Sequence, residues 1–103
     1  MADSIIKSHD IKKVIYQKPI TWSSTSNPYF SSEYDVTIEG YRAINAGYVV
    51  SGTFGTCVFF SAFYLDYRDS GKDYLCVNCR MVQNNPSSTT QNTLTMVVIY
   101  IKV

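Results

Sequence analysis

Two stretches of the chain alternate with the period of a β-strand but are apolar on both faces. Residues 57–67 (CVFFSAFYLDY) contain no Gly or Pro, and aromatic side chains fall at both odd and even positions. Residues 94–103 (LTMVVIYIKV) behave in the same way. A strand with one solvated face carries polar residues on that face. We therefore expect both strands to lie in a small sandwich whose outer surface needs a second layer or a second subunit as cover.

Weaker alternation predicts four further strands, bounded by proline, glycine and polar clusters. They cover residues 12–17, 33–39, 41–51 and 74–83. Pro19 should interrupt the first strand, because proline removes a ladder donor, and residues 20–22 are a candidate extension beyond that break. Gly47 suggests a bulge or a close backbone approach in the third. The glycine turn at residues 51–56 predicts a hairpin between residues 41–51 and 57–67. In residues 74–83 the apolar set is expected to face the core: Leu75, Val77, Cys79 and Met81.

Composition supports an all-β fold. The 103 residues include ten Val, nine Ile and nine Thr against four Ala, three Leu and two Glu, so β-branched residues outnumber strong helix formers. The length suits one domain. We expect an N-terminal arm and first strand at residues 1–22, a hydroxyl-rich loop or linker at 23–32 and a β-sandwich head domain at 33–103.

Charge and hydropathy limit the partners. The net charge is +1 and no run of like charges occurs, so we expect no nucleic-acid partner. No stretch has the roughly 20 apolar residues of a membrane span, and the lysine-bearing N-terminal region lacks the apolar core of a signal peptide. The expectation is a protein that is made in a cytoplasm and does not insert into membranes.

The cysteines do not predict a metal or redox site. Cys76 and Cys79 have C-x-x-C spacing, but in a strand they point to opposite faces and cannot share an ion. Free thiols that act as small buried apolar side chains are the expected state. The lone histidine, His9, lies beside Asp10 and is expected to be a solvated polar pair. We therefore expect no catalytic residue, no metal and no cofactor.

The order of short motifs resembles the C-terminal head domain of tail-fibre or receptor-binding proteins from phages of Gram-positive and gut bacteria. The matching features are Gly40-Tyr41 after a short strand and an apolar last strand that ends Tyr100-Ile101-Lys102. Residues 77–80 (VNCR) correspond to a Val-Arg-Asn-like segment of that group with its residues in a different order. The resemblance covers residues 34–103. It implies a jelly-roll-like antiparallel β-sandwich, a homotrimer, at the tip of a fibre in the virion, where it contacts a host-surface sugar or protein.

For binding, the aromatic residues are the main resource, because their rings stack on sugars. Tyr48, Tyr64 and Tyr100 sit in apolar runs and are expected to be structural. The turn at residues 68–73 is the predicted site, with its flanking rings, its charged side chains and two amides of the next connection. The candidates are Tyr67, Arg68, Asp69, Lys72, Asp73, Tyr74, Asn84 and Asn85.

Three functions remain open from the sequence. The first is a non-enzymatic receptor-binding head, the second is a structural module that trimerises or caps a fibre, and the third is a small lectin-like monomer. A solution mass separates the third from the others, and glycan or cell binding separates the first from the second.

Overall fold

A computed structural model describes residues 7–22, 28–52, 58–81 and 92–103. After a short 3-10 turn at Ser8–Asp10, these residues form six strands: β1 (Ile11–Ile20), β2 (Tyr29–Asp35), β3 (Tyr41–Gly52), β4 (Val58–Arg68), β5 (Lys72–Met81) and β6 (Asn92–Lys102). The described part of the chain has no helix long and apolar enough to cross a membrane.

The strands form two three-stranded antiparallel sheets packed as a β-sandwich. Sheet A has the order β1-β6-β3, and sheet B has the order β2-β5-β4. The all-β sandwich predicted from composition and period is confirmed. β1 pairs with β6 along its whole length, so the first strand belongs to the same sandwich as the strands after residue 33. The predicted division into domains stays a prediction.

The core lies between the two central strands. β6 contributes Leu94, Met96, Val98 and Tyr100, each fully buried. β5 contributes the predicted set Leu75, Val77, Cys79 and Met81, of which none is more than 6% exposed. The Tyr100 hydroxyl donates to the Val36 carbonyl. Because that bond uses its one proton, the Tyr16 hydroxyl, at 2.7 Å, donates to Tyr100. This chain of bonds ties sheet A to the end of β2.

Strand 57–67 corresponds to β4, which is an edge strand of sheet B. No second layer of the described chain covers its outer face, where Phe59 and Tyr64 are exposed, and cover by a second subunit stays a prediction. The register of β4 against β5 shifts between Phe60 and Ala62, so Ser61 lies in a bulge. An extra residue reverses the alternation. As a result Phe60 and Phe63 both pack against the core, although their spacing places them on opposite faces of a regular strand.

Three smaller expectations are also wrong. β3 and β4 do not form a hairpin, because β3 pairs with β6 in sheet A and β4 pairs with β5 in sheet B. The bulge of β3 lies between Ala43 and Asn45, whereas Gly47 pairs in register with Val97. Pro19 does not interrupt β1, which continues to Ile20. An edge strand tolerates proline because half of its N–H groups face away from the sheet.

The strand predicted at residues 33–39 occurs earlier, as β2. Beyond its end, the Val36 N–H donates to the Asp73 carbonyl at 2.9 Å, and Val36 is buried. The chain reverses through Gly40, whose φ is +84°. The predicted turn between β4 and β5 is confirmed: Gly71 has a φ of +80° and donates its N–H to the Arg68 carbonyl at 3.0 Å.

Candidate functional site

The predicted turn site separates into three groups in the structure. Asp69 and Lys72 are exposed at the turn. Tyr67 and Asp73 face the other sheet: the Tyr67 hydroxyl donates to the Ala43 carbonyl at 2.8 Å, and the Asp73 side chain is 1% exposed. Arg68 and Tyr74 lie on the outer face of sheet B. The turn therefore does not present its candidates on one surface.

Asp73 is engaged inside the protein. Its Oδ2 accepts the Ala43 N–H at 3.0 Å, and its Oδ1 lies 3.0 Å from Arg42 Nε without accepting a well-directed hydrogen bond. Its backbone N–H donates to Thr37 Oγ1 at 2.9 Å. The Arg42 guanidinium also lies over the Tyr67 ring, 4.7 Å from its centroid. This carboxylate joins the sheets and leaves no surface for a ligand.

Asn84 and Asn85 lie outside the described residues. Their segment leaves β5 at Met81, whereas the predicted turn precedes Lys72 at the other end of that strand. Nine residue steps of extended chain separate these points by roughly 30 Å. The binding role predicted for the eight residues stays a prediction. The turn adjoins Lys72 and the segment with the two asparagines follows Met81, and these two residues lie at opposite ends of β5.

The outer face of sheet B carries a more continuous set of side chains than the turn. β5 runs along its centre, and the register places one residue of β2 and one of β4 beside each outward residue of β5. In order along β5, these cross-strand rows are the Arg80 row (Tyr29, Arg80, Phe59), the Asn78 row (Ser31, Asn78, Ala62), the Cys76 row (Glu33, Cys76, Tyr64) and the Tyr74 row (Asp35, Tyr74, Asp66).

This face carries three exposed aromatic rings on either side of a central row of shorter side chains. Tyr29, Phe59 and Tyr64 are 51%, 61% and 54% exposed. The Asn78 row between them has small neighbours, Ser31 and Ala62, so the surface is depressed there. A cleft of about 460 Å³ lies beside the Arg80 row, and a smaller, more polar one of about 270 Å³ lies over the Asn78 and Cys76 rows. Consecutive rows are about 7 Å apart, and the face extends roughly 20 Å.

The two ends of this face differ in charge. In the Tyr74 row the Arg68 guanidinium lies over the Tyr74 ring, 3.8 Å from its centroid, and it bonds to both Asp66, at 3.1 Å, and Glu33. These two carboxylates raise the pKa of Arg68 above its usual range. In the Arg80 row, by contrast, Arg80 is exposed and has no ion pair with any residue that the structure describes.

Two further groups on this face have shifted pKa values. A side-chain hydrogen bond to Cys76 raises the pKa of Tyr64, and the nearby carboxylates of Asp66 and Glu33 raise it further. Hydrogen bonds from the Thr37 hydroxyl and backbone N–H lower the pKa of Asp35. Asp35 therefore stays ionised at neutral pH and Tyr64 keeps its proton, so the face presents phenol donors as well as carboxylate acceptors.

Sequence reasoning missed most of this face. Tyr64 is expected from the sequence to be structural, but after the Ser61 bulge it lies on the outer face and is 54% exposed. The structural role holds for Tyr100, whereas Tyr48 packs on two rings but is 42% exposed. Tyr48 stacks on Phe60 and Phe63, with centroids 3.9 and 4.7 Å away, and Tyr100 is core. The available signal was Ser61, a polar residue inside an apolar run.

No three His, Cys, Asp or Glu side chains within residues 7–22, 28–52, 58–81 and 92–103 are placed to hold a metal ion. His9 is 72% exposed and faces Asp10 at 3.3 Å. The chain was also compared with protein-family models, with curated proteins and with solved structures, and none matches.

Proposed function

We propose that this protein is a non-enzymatic recognition domain that binds a cell-surface carbohydrate through the outer face of sheet B. The observation that supports this most is the group of three exposed rings, Tyr29, Phe59 and Tyr64, on either side of the Asn78 row. Aromatic faces cover the apolar side of a sugar ring, while hydroxyl, amide and carboxylate groups take its hydroxyls. Rigid strands hold these groups, so little freedom is lost on binding.

The setting that fits this role is the one implied by the sequence resemblance, a receptor-binding head at the tip of a phage tail fibre. The strand order is compatible with the jelly-roll topology we propose, since the chain changes sheets at each connection between described strands except β4 to β5. In this proposal the domain is part of the virion and is made in the host cytoplasm.

The outer face of sheet A supports the homotrimer that we propose. We call it the aliphatic face: Ile11, Ile15, Val49, Val97, Ile99 and Ile101, which the register places together. Ile11, Ile15 and Val49 are 47%, 59% and 64% exposed. Gly47, opposite Val97, leaves its middle flat. The same register places Lys13 and Asn45 beside Ile99, and Arg42 beside Ile101, so polar side chains lie among the aliphatic ones. Exposed aliphatic side chains grouped in this way are typical of oligomer interfaces, and we propose that other copies of the chain cover them.

Glycan-array binding by the purified protein tests the carbohydrate function. We expect Phe59→Ala and Tyr64→Ala to lose binding about tenfold or more with no fall in Tm, because both rings are exposed. The control is Ile15→Ala, because the Ile15 side chain is exposed to a similar extent but lies on sheet A. This variant should bind the glycan as wild type does. Loss of binding in Asp69→Ala or Lys72→Ala alone would place the site at the turn. A trimer that binds no glycan and no host cell would favour the structural module instead.

A further inference from the structure

Arg80 stands out among the cations of the sheet B face because no carboxylate lies opposite it. Its register neighbours are Tyr29 on β2 and Phe59 on β4, neither of which carries charge. Within the described residues it forms no ion pair. Arg68, the other arginine of the face, is held between Glu33 and Asp66. The two ends of the same face thus hold one compensated and one uncompensated guanidinium.

The sequence of the segments that adjoin the strand ends near Arg80 contains no acidic residue. Three connections leave the sandwich at the Arg80 end: residues 21–28 before β2, 53–57 before β4 and 82–91 after β5. In the sequence these segments contain no Asp and no Glu and are rich in Ser, Thr, Asn and Gln. Negative charge at this end of the molecule therefore has to come from outside these segments.

The cleft beside Arg80 has the shape of a binding site. Its volume is about 460 Å³, within the usual range for small-molecule sites. Its lining residues include Tyr29 and Phe59, whose rings are exposed, the polar residues Ser61 and Asn78, and Arg80. A ring-shaped ligand on these aromatic surfaces would bring a substituent within reach of the guanidinium. Guanidinium pairs with carboxylate or phosphate through two parallel hydrogen bonds.

We infer that the ligand of this face is an acidic saccharide whose anionic group, a carboxylate or a phosphate, is bound by Arg80 while its sugar ring rests on Phe59 and Tyr29. This inference rests on the proposed carbohydrate function and specifies its ligand class. The neutral part of the saccharide extends toward the Asn78 and Cys76 rows, where Asn78, Ser31 and Glu33 offer polar contacts. Arg68 does not bind the anion, since its two carboxylates already occupy it.

The test uses the full chain and a panel of matched oligosaccharides: neutral compounds, the same compounds with a uronate or sialate residue, and the same compounds with a phosphate ester. Wild type, Arg80→Gln and Arg68→Gln are compared by titration at low and high salt. We expect wild type to prefer an acidic set about tenfold to a hundredfold. Arg80→Gln should lose that preference and keep its affinity for the neutral compounds, whereas Arg68→Gln should keep the preference. The better-bound acidic set identifies the anion.

The possible outcomes distinguish a failure of this inference from a failure of the proposed carbohydrate binding. Equal binding of neutral and acidic compounds, or an unchanged preference in Arg80→Gln, overturns the inference and leaves carbohydrate binding in place. Absence of binding to every compound overturns both. The salt dependence is a second readout: the affinity of wild type for acidic compounds should fall with added salt, and that of Arg80→Gln should not.

Discussion

At the scale of single residues, the Asp73 carboxylate is buried and contacts residues of the opposite sheet. It meets Ala43 N–H and Arg42 Nε and thereby links β5 of sheet B to β3 of sheet A. Removing the guanidinium leaves a buried charge with one partner. Arg42 is 40% exposed, so water offsets part of the loss. We expect Arg42→Ala to lower the free energy of unfolding by about 2 kcal/mol.

Urea unfolding of purified variants measures this effect. Arg80→Ala is the matched control, because its side chain has no ion pair within the described chain, and it should be as stable as wild type. Equal stability of Arg42→Ala and Arg80→Ala would show that the Asp73 pair does not hold the two sheets together.

Cys79 gives a prediction of pH dependence. Burial raises the pKa of its thiol to about 11, whereas the unfolded thiol titrates near its ordinary value. The folded state therefore keeps a proton that the unfolded state loses. The stability tied to this proton is fully present below the ordinary thiol pKa and is lost as the pH rises to about 11, with a size of about 3 kcal/mol.

Unfolding free energies measured from neutral pH to about 11 check this prediction. Cys79→Ala loses some packing at every pH, but its stability should fall less steeply with pH, since it carries no thiol at that position. Identical slopes for wild type and Cys79→Ala would show that the thiol is not protected.

Single residues also show why the site was only partly predictable. The turn at residues 68–73 was recognisable from its polar composition and its glycine. The burial of Asp73 was not, because it depends on Arg42 and Ala43, about thirty residues earlier, and no local pattern reports a contact between two sheets. Tyr64 was misassigned for a local reason, the bulge at Ser61.

At the scale of elements, the hairpin of β4 and β5 depends on its glycine. Gly71 has a φ of +80°, and no atom lies where a Cβ would be added, so the cost of Gly71→Ala is backbone strain alone. We expect a loss of about 1 kcal/mol in unfolding free energy. Gly47→Ala is the control: it also has free space but no positive φ. Equal effects of the two substitutions in chemical denaturation would contradict this account.

The sequence predicts the positions of the strands better than it predicts which strands pair with each other. Period and turn residues located the strands to within a few positions, apart from β2. Alternation could not decide which set of β6 side chains faces inward, because both sets are apolar. The structure buries Leu94, Met96, Val98 and Tyr100 and leaves Val97 and Ile99 on the aliphatic face. A charge at Val98 would therefore disrupt the core. A substitution that tests assembly has to be made on the outer face of sheet A instead.

At the scale of the whole molecule, the two outer faces have different chemistry and are proposed to have different partners. Ile15→Asp places a charge in the aliphatic face at a side chain that is 59% exposed, so the fold should tolerate it. We expect light scattering to show a trimer for wild type and a monomer for Ile15→Asp. Phe59→Asp, on the sheet B face, should remain trimeric and lose ligand binding. A wild-type monomer at high concentration would contradict the assembly.

The central claim is that the outer face of sheet B is the surface that meets the ligand. The most direct measurement is the change in backbone amide NMR shifts when the best-bound oligosaccharide of the panel is added to the labelled protein. We predict that the shifted amides belong to the Arg80, Asn78 and Cys76 rows, with the largest changes near Phe59 and Arg80. Changes confined to the turn at residues 69–71 or to the aliphatic face would contradict the claim.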